Sequence, residues 1–104
     1  MKNMEKTLET TAIVYVESLE QARNELYKFI GKEITLRNCP GSIYYLGIKT
    51  IDYMFKLLSN EFSISSTIID VEDDHAAAIS ALKLGYENIM YHGDSVEIKK
   101  LLGY

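Results

Sequence analysis

The segment SSTIIDVEDDHAAAISALKLGYENIMYH, residues 65–92, decides the predicted fold of this chain. Its first part, SSTIIDV, is rich in β-branched residues and predicts a strand over 65–71. The alanine-rich run 76–84 favours a helix that stops at Gly85, and ENIMYH predicts another strand over 87–92. A strand, a helix and a strand with short connections are typical of a parallel βαβ unit with a right-handed crossover.

The same alternation extends upstream of this segment. TAIVYVE, residues 11–17, predicts a strand with apolar residues on both faces, and Ser18 with Gln21 forms a capping box that starts a helix. EITLRN, residues 33–38, predicts a second strand. A Cys-Pro-Gly turn follows it, and apolar spacing then predicts one long helix over 42–60.

The two ends of the chain differ in character. Near the C-terminus, Asp94 and Glu97 form a second capping box, which predicts a last helix. Residues 1–10 are polar and show no period, so we expect a disordered leader there. The remaining residues, 11–104, are enough for a single α/β domain.

The predicted order βαβαβαβα indicates an α/β fold with a small open parallel sheet. We expect the strand order 2-1-3-4 with helices on both faces, an arrangement similar in outline to flavodoxin-like folds. The alternative is half of a βα barrel, which would need a partner to close.

Composition and charge exclude some classes of function. The net charge is −4, and the 11 basic residues are scattered, so we expect no nucleic-acid partner. No apolar run approaches the roughly 20 residues that a membrane-spanning helix needs, and we expect no membrane association. The single cysteine, Cys39, agrees with a reducing compartment, which favours a cytoplasmic location.

Polar residues follow every predicted strand, and the carboxyl ends of parallel strands share one edge of a sheet. Asp70 is the most informative of them, because it interrupts an apolar strand where an unpaired buried carboxylate would cost several kcal/mol. The candidate ligand-binding residues at this edge are Glu17, Ser18, Asn38, Gly41, Ser42, Asp70, Asp74, His75 and His92.

Two interpretations of the acidic stretch remain open. Carboxylates and histidines gathered from neighbouring strands suit a hard cation or a mixed His/carboxylate metal site. Alternatively, Asp73 or Asp74 is simply the N-cap of a helix whose first turn attracts acids. We favour the second interpretation and expect no metal and no cofactor. Cys39 has no arginine or second cysteine to support it, so we expect an inert thiol.

No complete catalytic set is present, and no catalytic residue can be assigned. The favoured hypothesis is a non-catalytic interaction or signalling-like module with a protein partner, which forms a homodimer or larger homo-oligomer. The wide apolar and tyrosine surface of the predicted helix from Ile43 to Leu58, with Tyr44 and Tyr45, suggests where copies meet. The alternative is an enzyme that binds a small molecule, phosphate or metal at the carboxyl ends of the strands.

Overall fold

Strands and helices alternate through residues 11–104, the part of the chain that the computed structural model describes. The predicted leader, residues 1–10, lies outside the described residues. The strands are β1 (Thr11–Val16), β2 (Glu33–Asn38), β3 (Ser66–Glu72) and β4 (Ile89–Tyr91). The helices are α1 (Leu19–Lys28), α2 (Ser42–Leu46), α3 (Ile48–Glu61), α4 (His75–Lys83) and α5 (Val96–Leu102).

The four strands form one parallel sheet in the order β1-β2-β3-β4. The predicted α/β class with a parallel sheet is therefore confirmed. The predicted order 2-1-3-4 is wrong, because β2 pairs with β1 along its whole length and with β3 on its other side. The chain moves in one direction across the sheet, as the half-barrel alternative requires.

The helices cover one face of the sheet, so the prediction of helices on both faces is also wrong. Sequential strands with right-handed crossovers place every connecting helix on the same side. Alternate residues of each strand enter a single core with α1, α3, α4 and α5. The core residues from the sheet are Val14, Val16, Ile34, Leu36, Ile69, Val71, Ile89 and Tyr91.

The opposite side of the sheet, which we call the open face, has no helix over it among the described residues. Its side chains alternate with the core residues along each strand. Ile13 and Tyr15 are 57% and 42% exposed, and these were the residues that suggested a strand covered on both sides. The open face consists of Ile13, Tyr15, Thr35, Arg37, Ser66, Ile68, Asp70 and Met90.

The long helix predicted over 42–60 is two helices, α2 and α3, separated at Gly47. Gly47 has a φ of +81°, a left-handed conformation that ends one helix and that a side chain would disfavour. The backbone N–H of Gly47 donates to the carbonyl of Ile43, and the next helix begins at once. The apolar surface predicted for one continuous helix is therefore divided between two axes.

Of the three helix caps predicted from the sequence, two are confirmed and one is wrong. The capping box of Ser18 and Gln21 is confirmed, and Asp74 is confirmed as the N-cap of α4. The cap of α5 is Ser95 rather than Asp94, because the Ser95 hydroxyl is the group that accepts from the helix backbone. No helix in the described part of the chain has the length and apolar character needed to cross a bilayer.

Candidate functional site

The residues after the four strands lie along one edge of the sheet, which we call the carboxyl-end rim. Among the predicted candidates, Ser18 and Asp74 cap helices there. The ring of His75 packs edge-on against Tyr91, with 5.7 Å between the ring centroids. The remaining side chains separate into one cluster around Asp70 and another around Glu17.

Asp70 is buried but not unpaired. Its side chain is 2% exposed, and its Oδ2 accepts a hydrogen bond from Nη2 of Arg37 at 3.1 Å. Its Oδ1 accepts from the backbone N–H of Glu72 at 3.0 Å and lies 3.4 Å from Nε2 of His92. The sequence indicated that Asp70 would be a costly buried carboxylate if it had no partner. Arg37 on the neighbouring strand is its charged partner.

Arg37 is a site residue that the sequence reasoning missed. Its guanidinium lies between Asp70 and the ring of Tyr15, with 5.4 Å from its central carbon to the ring centroid. The sequence contained evidence for Arg37, because this residue places a positive charge within an apolar strand. Asp70 places a negative charge within the next strand in the same way. Strand spacing would have placed both on the same face.

Asn38 and Ser42 are structural supports. Asn38 is fully buried, and its amide donates to the Asp70 carbonyl at 2.9 Å while accepting from the Asp70 N–H at 2.6 Å. It also donates to the Ser42 hydroxyl at 3.0 Å. Backbone pairing between β2 and β3 extends only to Arg37 and Ile68, so the Asn38 side chain continues the connection. These contacts occupy both candidates inside the protein.

Glu72 joins the cluster through an irregularity of β3. A register shift lies between Asp70 and Glu72, and Glu72 has a φ of +52°. Such bulges redirect a side chain relative to the regular alternation. The Glu72 carboxylate accepts from the Gly41 N–H at 2.8 Å, and one ligand atom each of Asp70, Glu72 and His92 lie within 4.8 Å of one another.

The second cluster joins Glu17 to Cys39 and Tyr45. The Tyr45 hydroxyl donates to Glu17 at 2.7 Å. Burial, and then the hydrogen bond with Glu17, raise the pKa of the Cys39 thiol to about 11. A thiol with that pKa is protonated at neutral pH and is a poor nucleophile. The hydrogen bonds from Cys39 and then Tyr45 lower the pKa of Glu17 below its ordinary value.

Two large cavities lie at the opposite end of the strands, and the one beside β2, of about 700 Å³, is lined by residues that include Tyr27, Ile34 and Phe62. The other, of about 610 Å³, is lined by Asp52, Lys56 and residues that precede β3 and β4. Its main charge is already compensated, because Lys56 lies 2.8 Å from Asp52 and the Tyr86 hydroxyl donates to Asp52 at 2.6 Å. We therefore place the candidate site at the carboxyl-end rim, where titratable side chains converge around Asp70.

The one-sided helix layer and the Asp70 cluster define a small α/β protein with a charged group on an open parallel sheet. The chain is 47% identical, over 89 residues, to the uncharacterized protein RP547 of Rickettsia prowazekii (strain Madrid E). The alignment covers 84% of this chain and 83% of that protein, so the chain belongs to the RP547 family. No family model matches the chain. No solved structure matches it significantly.

Proposed function

We propose that this chain is a non-catalytic module that assembles with a second copy of itself through the open face of its sheet. The supporting observation is the exposure of Ile13 and Tyr15 on a parallel sheet. Parallel sheets occur almost always with both faces covered, because their strands carry apolar side chains on both sides. A second layer over this face would complete the usual arrangement.

The strand order favours a second copy as that layer. Four sequential parallel strands with helices on one side correspond to half of an eight-stranded βα barrel. In a two-fold assembly, β1 of one copy would lie beside β4 of the other. That pairing would give each edge strand a second neighbouring strand. On the outer edge of β4 the Tyr104 hydroxyl now accepts from the Tyr91 N–H and donates to the Ile89 carbonyl, so it would have to move aside.

Charge on the open face is compatible with contact between two copies. Arg37 and Asp70 compensate each other within one chain, so two such faces would not repel. The face itself is small: strands spaced about 4.8 Å apart and about 20 Å long give roughly 400 Å² for each copy. A standard interface buries about 800 Å² per partner. Contact through the strand edges as well as the face is therefore part of the proposal.

The helix surface from Ile43 to Leu58 is the competing surface for self-association. The hydroxyl of Tyr44 donates to Asp73 and that of Tyr45 to Glu17, so both tyrosines hold acids of the rim. Tyr53 on α3 is 60% exposed and keeps a free outer surface comparable with that of Ile13. These two residues offer a matched pair for deciding between the surfaces.

Sedimentation velocity of the full chain over a range of micromolar concentrations tests the proposal. We expect a wild-type dimer, a monomeric Ile13→Glu variant, and a Tyr53→Glu control that still dimerises. Far-UV circular dichroism should show that all three are folded. A wild-type monomer at concentrations on the order of 100 μM would exclude a useful self-association. A dimer lost in Tyr53→Glu and retained in Ile13→Glu would assign the interface to the helices instead.

A further inference from the structure

We propose that Asp70, Glu72 and His92 bind a divalent transition-metal ion, with zinc as the expected ion. One ligand atom of each lies within 4.8 Å of the others, although the residues come from two strands and the irregular end of one of them. The inference goes beyond self-association and does not depend on it. It also names a metal ion as the ligand in the alternative hypothesis of a binding site at the carboxyl-end rim.

The geometry of the first two ligands suits a tetrahedral ion. Nε2 of His92 and Oδ1 of Asp70 are 3.4 Å apart. Two ligand atoms that each lie about 2.1 Å from a tetrahedral ion are separated by about 3.4 Å, so this pair would need little movement. Oδ1 already accepts one hydrogen bond, from the Glu72 N–H, and a carboxylate oxygen has a second lone pair for the ion.

The charge of the cluster also favours a cation. Two carboxylates, those of Asp70 and Glu72, share a single neighbouring guanidinium, that of Arg37. Arg37 pairs with the buried Asp70, whereas the carboxylate of the partly exposed Glu72 accepts a hydrogen bond from the uncharged Gly41 N–H. The guanidinium therefore balances only one of the two negative charges, and that of Glu72 remains. An ion among the three ligands would balance it.

The ligand types select the kind of metal. An imidazole nitrogen with carboxylate oxygens suits zinc and similar ions, whereas calcium and magnesium prefer oxygen ligands alone. Three protein ligands leave a fourth tetrahedral position for water, as in catalytic zinc sites. His92 is 50% exposed, so the cluster opens to solvent on that side.

Neighbouring groups hold the two carboxylates by hydrogen bonds, as the residues that surround the ligands do in metal sites. Arg37 binds the Oδ2 atom of Asp70 and leaves Oδ1 directed toward His92. The Gly41 N–H binds one oxygen of Glu72 and leaves the other available. Hydrogen bonds of this kind orient ligands and strengthen metal binding.

Isothermal titration of zinc into untagged, chelator-treated full-length protein tests the proposal. We expect one zinc per chain with a dissociation constant of micromolar or below. The variants His92→Gln and Glu72→Gln should each weaken binding by at least about tenfold. The control His75→Gln should bind as the wild type does, because His75 packs against Tyr91 outside the cluster. Cys39→Ser should also leave the affinity unchanged.

Cobalt substitution supplies a second readout that does not depend on stability. We expect the absorption of tetrahedral Co²⁺ in the wild type and in His75→Gln, and its loss in His92→Gln. Circular dichroism should confirm that each variant is folded. The proposal is overturned if neither zinc nor cobalt binds the wild type at micromolar concentration. Equal weakening by His75→Gln and His92→Gln would overturn it as well.

Discussion

The two faces of the sheet are built from the same strands but differ in burial and in charge. On the helix-covered face, Val14, Leu36 and Ile69 are completely buried. On the open face, Ile13 and Tyr15 are exposed beside a charged pair that spans two strands. Because strand side chains alternate, one set of positions can supply stability while the other remains available for recognition. Mutations on the two faces of the sheet should therefore have very different consequences.

The largest expected effect contrasts Leu36→Ala on the covered face with Ile13→Ala on the open face. Leu36 is fully buried, so its truncation should lower the free energy of unfolding by about 2–5 kcal/mol. Ile13 is more than half exposed, and at protein concentrations below dimer formation its truncation should change that free energy by less than about 0.5 kcal/mol. Urea denaturation followed by circular dichroism measures both.

The concentration dependence sharpens this contrast. If the open face contacts a second copy, Ile13→Ala should lose stability relative to wild type as the protein concentration rises. Leu36→Ala should show its full loss even in dilute solution. Equal losses for the two variants at every concentration would mean that a single chain already buries both faces.

The sequence was informative where the determinants are local. Hydrophobic spacing and capping residues identified the strands and helices, and Gly47 alone divided a predicted helix. The strand order, in contrast, is not determined by local sequence. The apolar Ile13 and Tyr15 gave β1 the pattern of an interior strand, although it is an edge strand with one open side. Right-handed crossovers determine the side on which each helix returns once the strand order is known, but that order depends on packing between residues distant in the sequence.

The candidate site shows the same division. Asp70 and His92 were both predicted for the rim, since parallel strands bring their carboxyl ends together. The sequence also placed Glu72 on the rim, but not among the ligand-binding candidates, because the register shift that turns its side chain toward Asp70 and His92 has no signature in the sequence. Asn38 was a candidate ligand, but its amide is occupied by the backbone of the neighbouring strand.

The second prediction compares the ion pair on the open face with one on the helix layer. Asp70→Asn removes the charged partner of Arg37, which is 19% exposed, and should lower the free energy of unfolding by about 2 kcal/mol. Glu61→Gln breaks the pair with Arg23, in which both side chains are more than a third exposed. Water replaces most of that interaction, so its loss should be much smaller.

Urea denaturation of both variants near pH 7, in metal-free buffer, gives the comparison. The buffer must be free of metal because an ion bound at Asp70 would add to the effect of Asp70→Asn on the free energy of unfolding. Similar losses for Asp70→Asn and Glu61→Gln would show that solvent reaches the open-face pair as easily as the pair on the helices. The two faces would then differ in the burial of their side chains but not in the strength of their ion pairs.

The smallest expected effect is the pH dependence of the exposed pair on the helix layer. Arg23 lowers the pKa of Glu61 below its ordinary value of 4.5 by donating two hydrogen bonds to the carboxylate. The unfolded chain, with the higher pKa, therefore takes up the proton first as the pH falls. The stabilisation is fully present above pH 4.5 and is lost as the pH passes through the lower, folded value.

The difference in unfolding free energy between wild type and Glu61→Gln isolates this pair. Other acids, including Glu17 with its own lowered pKa, titrate in the same range but contribute equally to both proteins. We expect the difference to be constant from pH 7 to 5, to shrink below pH 4.5, and to be reduced throughout by salt. A difference that grows on acidification would contradict the assigned direction.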